Sequence, residues 1–200
     1  LARDNAAAFT LDKMHAMVDR DERQIQSLIR LIEDMLDVSR IRTGKLSIRP
    51  APVDLTQVVA RLLENFAAQI SAAQSSVNFT AGQPVVGQWD EFRIEQVISN
   101  LLTNALRYGA KKPIDVAVYI ENDQAVVDVR DQGIGISAEN QQRVFQQFER
   151  VSASHVTAGL GLGLFISEQI VTAHSGTISV QSTLGEGALF RVCLPLVQKA

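Results

Sequence analysis

Cysteine is nearly absent from this sequence: Cys193 stands alone in 200 residues. That excludes an internal disulfide framework and any metal site built on a cysteine cluster. A reducing setting follows, so a cytoplasmic location is expected. No apolar run is long enough to cross a bilayer, and the first residues do not read as a signal peptide. A longer parent could still be anchored in an inner or plasma membrane. Excess positive charge is missing too. With 19 Lys and Arg against 22 Asp and Glu, the formal net charge is −3, which removes the electrostatic case for nucleic acid. Common phosphate loops fail as well. Gly44-Lys45 is followed by Leu46 rather than by Ser or Thr, and the late glycines alternate instead of forming the dinucleotide fingerprint. There is no internal repeat and no low-complexity tract.

What is present suits a globular chain of one ordinary domain plus an appendage, with 46% hydrophobic and 20% charged residues. Residues 1 to about 43 contain no Pro or Gly. Within them Ile25, Leu28, Ile32, Met35 and Ser39 keep a three-four spacing that Ile29, Leu31, Leu36 and Ile41 widen, which predicts one long helix ending near Gly44. Phe9-Thr10-Leu11-Asp12 is a candidate turn before it. Such an apolar helix needs a partner: either its own globular domain, or a second helix in a hairpin that dimerises into a four-helix bundle.

Past Gly44, Leu46-Ser47-Ile48-Arg49 reads as a short strand, and Pro50-Ala51-Pro52 rules out a central strand and marks a junction. Asp54 with Gln57 resembles a capping box opening a helix with Leu55, Val58, Val59, Leu62, Leu63, Phe66 and Ile70 on one face. Ser76 to Thr80 is a candidate strand. Asp90 caps a helix to about Tyr108 whose buried face is Val97, Ile98, Leu101, Leu102 and Ala105. Asn100 and Asn104 stack on another side of it. They are either solvated amides or oxygen donors for a cation and its phosphate ligand, a set that Mg²⁺ accepts alongside waters.

Ile114 to Ile120 and Ala125 to Arg130 form a predicted hairpin leading into Asp131. A carboxylate there is either a turn residue or an acceptor for an exocyclic amine such as adenine's. Two glycine clusters, Gly133/Gly135 and Gly159/Gly161/Gly163, bracket a polar segment that contains Phe145 and Phe148. They make turns, or they bring backbone N–H groups close to phosphate beneath a lid. A short helix from Ser137 or Glu139 to Phe148, a helix from Gly161 to about Ala173, and strands Thr177 to Ser182 and Ala188 to Leu196 complete the chain. The order predicts an α/β (α+β) sandwich, a mixed sheet with helices on one face.

These motifs in this order resemble the catalytic region of two-component sensor histidine kinases. Asn100-Leu101-Leu102-Thr103-Asn104-Ala105-Leu106-Arg107-Tyr108 is similar to their N box, Asp131 to Gly135 to the G1 box, Phe145 to Phe148 to the F box, and Gly159 to Gly163 to the G2 box. Leu36 to Leu46 is similar to the end of their second dimerisation helix. The resemblance implies a Bergerat-type fold of the GHKL ATPase superfamily at residues 46–200, after a truncated dimerisation hairpin at 1–45. It implies ATP and Mg²⁺ as cofactors, a response-regulator receiver domain as partner, and a homodimer in the full protein. Asn104 would ligate Mg²⁺, Asn100 and Arg107 would lie by the phosphates, and Tyr108 would meet the nucleoside. Asp131 would bond the adenine amine, Gly133 and Gly135 would shape its pocket, and Gly159, Leu160, Gly161, Leu162 and Gly163 would wrap the phosphates.

Two departures accompany the resemblance. Ala188 stands where the family often has Ser or Thr. None of His15, His155 and His174 sits in the His-Glu-x-x-Thr-Pro pattern of the family's phosphoacceptor, so the chain is expected to begin past the acceptor and to bind ATP without phosphorylating itself at the usual place. The remaining alternatives are a gyrase-, Hsp90- or MutL-type ATPase, a serine kinase acting on an anti-sigma partner, or a module that keeps the fold without turnover. The long helix ending in Arg-x-Gly-Lys weighs against the first two.

Overall fold

A computed structural model of the protein describes residues 11–109, 111–149 and 160–197. The predicted long helix is α1, Leu11–Arg42. The Gly44 N–H donates to Ile41 O at 3.0 Å and the Lys45 N–H to Arg40 O at 2.8 Å, the paired bonds of a Schellman cap. In the last turns of α1, Val38 and Ile41 pack on the core, while Ile25, Leu28, Ile29, Ile32, Met35 and Leu36 stay exposed. Leu11 and Asp12 are already helical, and the rest of the candidate turn lies outside the described residues.

Strand β1 (Ala51–Asp54), helices α2 (Leu55–Asn65) and α3 (Ala67–Ala72), and strands β2 (Val77–Ala81) and β3 (Val86–Trp89) follow. The strand expected at Leu46 to Arg49 is not formed. Extended pairing begins at β1, which runs antiparallel to β3 in a two-stranded sheet where Pro52 faces Gln88. In so narrow a sheet a residue without an N–H can face the open edge. Arg49 is held differently, its N–H donating to Asp90 Oδ2 at 2.8 Å. Asp54 caps α2 as expected, accepting from Thr56 N and Gln57 N. The single helix expected through Ile70 is interrupted at Phe66, whose side chain is buried.

Helix α4 (Glu91–Tyr108) matches its predicted bounds and is capped by Asp90. Strands β4 (Ile114–Glu121) and β5 (Gln124–Arg130) form the predicted hairpin through Asn122 and Asp123, with φ of 50° and 59°, the left-handed pair that a tight hairpin turn requires. The helix expected up to Phe148 is instead two single 3₁₀ turns, Ala138–Asn140 and Arg143–Phe145. Helix α5 (Gly163–Ala173) and strands β6 (Thr177–Thr183) and β7 (Gly187–Pro195) close the chain.

The main sheet has the order β2-β4-β5-β7-β6, parallel only between β2 and β4. Its inner face supplies Val116, Val118, Val127, Val129, Phe190 and Val192 to the core. The aliphatic faces of α2, α4 and α5 cover it with Val58, Leu62, Ile98, Leu101, Ile166 and Ile170. The outer face is polar: Arg191 donates to both oxygens of Asp128 at 2.8 Å, and Tyr119 donates to Asp128 Oδ2 at 2.9 Å. The α/β sandwich with helices on one face is therefore the observed fold.

Two buried polar contacts lock the helices. Asp37 on α1 and Arg93 on α4 are 3% and 8% exposed. Arg93 Nη1 and Gln96 Nε2 donate to Asp37 Oδ2 at 2.7 and 2.8 Å. Burial alone would raise the Asp37 carboxyl, but the bonds from Arg93 and Gln96 and the Arg93 charge outweigh it and hold it below its ordinary value. His174, wholly buried, accepts the Asp90 N–H at Nε2 at 3.0 Å, and its Nδ1 lies 2.8 Å from Ile170 O. An imidazole that accepts at one nitrogen and donates at the other is neutral.

Substituting Arg93→Met strands a buried carboxylate and is expected to cost roughly 3 kcal/mol, with much of the loss recovered in Arg93→Met/Asp37→Leu. Urea unfolding checks this, and a single variant as stable as wild type would contradict it. For His174, burial lowers the folded pKa below 6.5. The unfolded chain therefore takes up a proton first as pH falls, and the group's contribution is full above 6.5 and fades below it. The stability gap between wild type and His174→Gln is expected to shrink between pH 7 and pH 5. A gap independent of pH would refute the neutral, buried assignment.

Candidate nucleotide site

The apolar stripe of α4 fixes its rotation, since Ile94, Val97, Ile98, Leu101, Leu102 and Ala105 are all buried. Asn100, Asn104, Arg107 and Tyr108 consequently face a cavity of about 300 Å³. Its opposite wall carries Asp131, at the end of β5, with Gly135, Ile136 and Ala188. Its rim carries Leu160, Gly161, Leu162 and Gly163, at the start of α5. The residues singled out from sequence thus meet around one space. Gly159 lies outside the described residues, as do residues 150–158 of the candidate lid, His155 among them.

Gly133 supports the cavity without lining it. A Cβ there would run into the carbonyl oxygen of Tyr108, so glycine lets the strand end press against the end of α4. Ile134 N donates back to that same carbonyl at 3.3 Å. Asp131 is 6% exposed. Its Oδ1 accepts the Gly133 N–H at 2.8 Å, and its Oδ2 has no hydrogen-bond partner among the described residues. Burial pushes this carboxyl up, with the Gly133 and Ala188 N–H groups opposing. A buried carboxylate oxygen left open toward a cavity fits an incoming N–H donor such as an exocyclic amine.

At the other end, Asn100 Nδ2 donates to Ser167 Oγ at 3.1 Å. That contact turns Oδ1 toward Gly163, where an added Cβ would collide with it. Asn104 makes no side-chain hydrogen bond among the described residues and keeps its oxygen for the cavity. Together with the N-terminus of α5, whose first N–H groups have no helical partners, this end has donors for an anion and neutral oxygens for a hard cation. The residues fit Mg²⁺ carried in with phosphates. No cluster of three or more His, Cys, Asp or Glu among the described residues could hold a metal alone.

The phenylalanines part company. Phe145 is buried with its ring edge-on to Phe190, centroids 6.5 Å apart. Phe148 is exposed, at φ 62°, and its N–H donates to Gly161 O at 3.1 Å, tying the rim to the second 3₁₀ turn. His15 is exposed and His174 buried, as ordinary surface and structural histidines. Sequence reasoning missed Ser167, a polar residue on the buried face of α5 that its position there could have flagged. It also missed the apolar wall of Ile134, Leu184 and Phe190, and Arg30 and Asp34, which reach the cavity from α1.

The chain is similar to known histidine kinases. The sensor histidine kinase RppB of Synechocystis sp. is 32% identical over 199 residues, covering 95% of this chain and 44% of that protein. The chain spans less than half the length of such curated relatives. Among solved structures, the Acinetobacter baumannii histidine kinase AdeS superposes with a TM-score of 0.74 at 22% identity, covering 96% of this chain and 88% of its own. Full-length ShkA in complex with AMPPNP gives 0.79 at 22% identity, covering 98% and 41%. No described helix is long and apolar enough to cross a membrane. Residues 89–198 match the family described as histidine kinase-, DNA gyrase B- and HSP90-like ATPase, and the chain belongs to that family.

Proposed function

We propose that this chain is the ATP-binding catalytic part of a sensor histidine kinase. Its parent moves the γ-phosphoryl group of ATP to a histidine and then to an aspartate of a response regulator's receiver domain. The observation that carries this reading is the polarity of one cavity: an open carboxylate oxygen on Asp131 at one end, and the amide oxygens of Asn100 and Asn104 at the other. The kinase relatives and the AMPPNP-bound neighbour support it.

In this reading Asp131 Oδ2 accepts from the adenine amine, while Ile134 and Ile136 offer the base apolar surface. Asn104, with Asn100 beside it, would hold Mg²⁺, which would supply charge neutralisation for the phosphoryl group being transferred. Arg107 approaches the phosphates from the last turn of α4, Tyr108 the nucleoside, and Gly161 to Gly163 lie against the phosphates at the α5 N-terminus. No histidine of this chain lines the cavity among the described residues; in this reading the nucleophile is a histidine on a helix of the parent. We assign residues 1–45 to a dimerisation hairpin and 46–200 to the catalytic domain. The exposed stripe through Ile25, Leu28, Ile32 and Met35 supports pairing of the hairpin into a homodimer.

Calorimetry with ATP and Mg²⁺ tests the site. Asp131→Asn is expected to weaken ATP by at least about tenfold, the cost of one buried charged hydrogen bond. Asn104→Ala is expected to abolish the gain from Mg²⁺ while leaving metal-free ATP nearly unaffected. Binding that ignores both substitutions contradicts the reading. Labelled phosphate appearing on a histidine-bearing hairpin supplied in trans supports transfer. Tight binding without such transfer favours a module that has kept the fold without turnover.

A further inference from the structure

The wall of the nucleotide cavity is not built from the sheet domain alone. Arg30 and Asp34 on α1 line it together with Asn100, Asn104 and Gly163. They stand four residues apart, so they share one face of the helix. Arg30 is exposed and Asp34 half-buried, and neither makes a hydrogen bond or ion pair among the described residues. Their placement is nevertheless set. One turn further on, Asp37 is clamped by Arg93 and Gln96 of α4, which leaves Asp34 little freedom to swing away from the cavity.

An unpaired carboxylate that has lost much of its water is costly. Burial pushes Asp34 up to about 6, and its acidic neighbours Asp37 and Glu33 push the same way while Arg30 opposes them. A cation arriving in the cavity would offset that cost. The exposed guanidinium of Arg30, one turn away, suits a phosphate.

We propose, resting on the reading of this cavity as a MgATP site, that Arg30 and Asp34 complete it: Arg30 faces the terminal phosphate and Asp34 faces the hydrated cation. The nucleotide site is then shared between α1 and the catalytic domain. Nucleotide binding and the seating of α1 reinforce each other, because a coupling free energy acts equally in both directions.

The test is calorimetry on the whole chain, with ATP plus Mg²⁺ and with ATP in chelator, for wild type, Arg30→Gln, Asp34→Asn, Asp37→Ala, Arg30→Gln/Asp37→Ala and Asp131→Asn. Arg30→Gln changes an exposed side chain and leaves folding intact. It is expected to weaken MgATP roughly tenfold, as for loss of one charge-assisted contact. Asp34→Asn is expected to shrink the ratio of the two dissociation constants severalfold while changing metal-free binding little. In the Asp37→Ala background, where the clamp is gone, Arg30→Gln should add almost nothing. If Arg30→Gln and Asp34→Asn both stay within about twofold of wild type while Asp131→Asn loses binding, α1 is only a neighbour of the site and the proposal falls with the ATP reading intact. An undiminished Arg30→Gln effect in the Asp37→Ala background overturns the shared seat. Absence of ATP binding by wild type removes both the ATP reading and the proposal.

Discussion

The seat of α4 on the sheet is the constraint from which the rest follows. Its buried stripe, Ile94 through Ala105, cannot turn outward without exposing a row of aliphatic side chains, each worth on the order of 2 kcal/mol of burial. With that rotation fixed, Asn100 and Asn104 have one direction to face. The two ends of the helix are fixed as well. Its cap residue, Asp90, is tied through its N–H to the buried His174 and through its carboxylate to Arg49. Its last carbonyl, at Tyr108, receives Ile134 N and fits against Gly133. A single apolar interaction thus sets the distance between the amide end and the carboxylate end of the cavity.

Polar burial is concentrated where elements must be held at an angle rather than merely pressed together. Asp37 with Arg93 joins α1 to α4, His174 joins the end of α5 to the start of α4, and Trp89 Nε1 donates to Pro195 O at 2.9 Å to hold the small sheet against β7. Each of these contacts is directional, so each defines an orientation that aliphatic packing leaves loose. Asp131 differs from them because its Oδ2 accepts no hydrogen bond from a side chain among the described residues.

Much of this was legible in the sequence where the signal is local. The spacing of Val97, Ile98, Leu101 and Leu102 with Asp90 before it located α4, and the alternation on either side of Asn122-Asp123 located the β4–β5 hairpin. The grouping of Asn100, Asn104, Asp131, Gly135 and Gly161 around one cavity followed from their motifs. Failures came where long-range contacts override local pattern. Leu46 to Arg49 alternates but finds no strand to pair with, whereas proline-bearing Ala51–Asp54 does. The segment before Phe148 has helical composition, yet Phe145 must turn inward to Phe190 and Phe148 back toward Gly161, which breaks it into two turns. Arg30 and Asp34 were not singled out, because nothing in α1 itself announces the domain against which it docks.

The central claim is that one cavity receives a nucleotide in one orientation, base toward Asp131 and phosphates toward Asn100 and Asn104. Diffraction from crystals grown with Mg²⁺ and a non-hydrolysable ATP analogue tests it most directly. The account predicts the adenine amino nitrogen within hydrogen-bonding distance of Asp131 Oδ2 and the cation within coordination distance of Asn104 Oδ1, about 2.1 Å. A nucleotide bound elsewhere, or bound with its phosphates against Asp131, would contradict it.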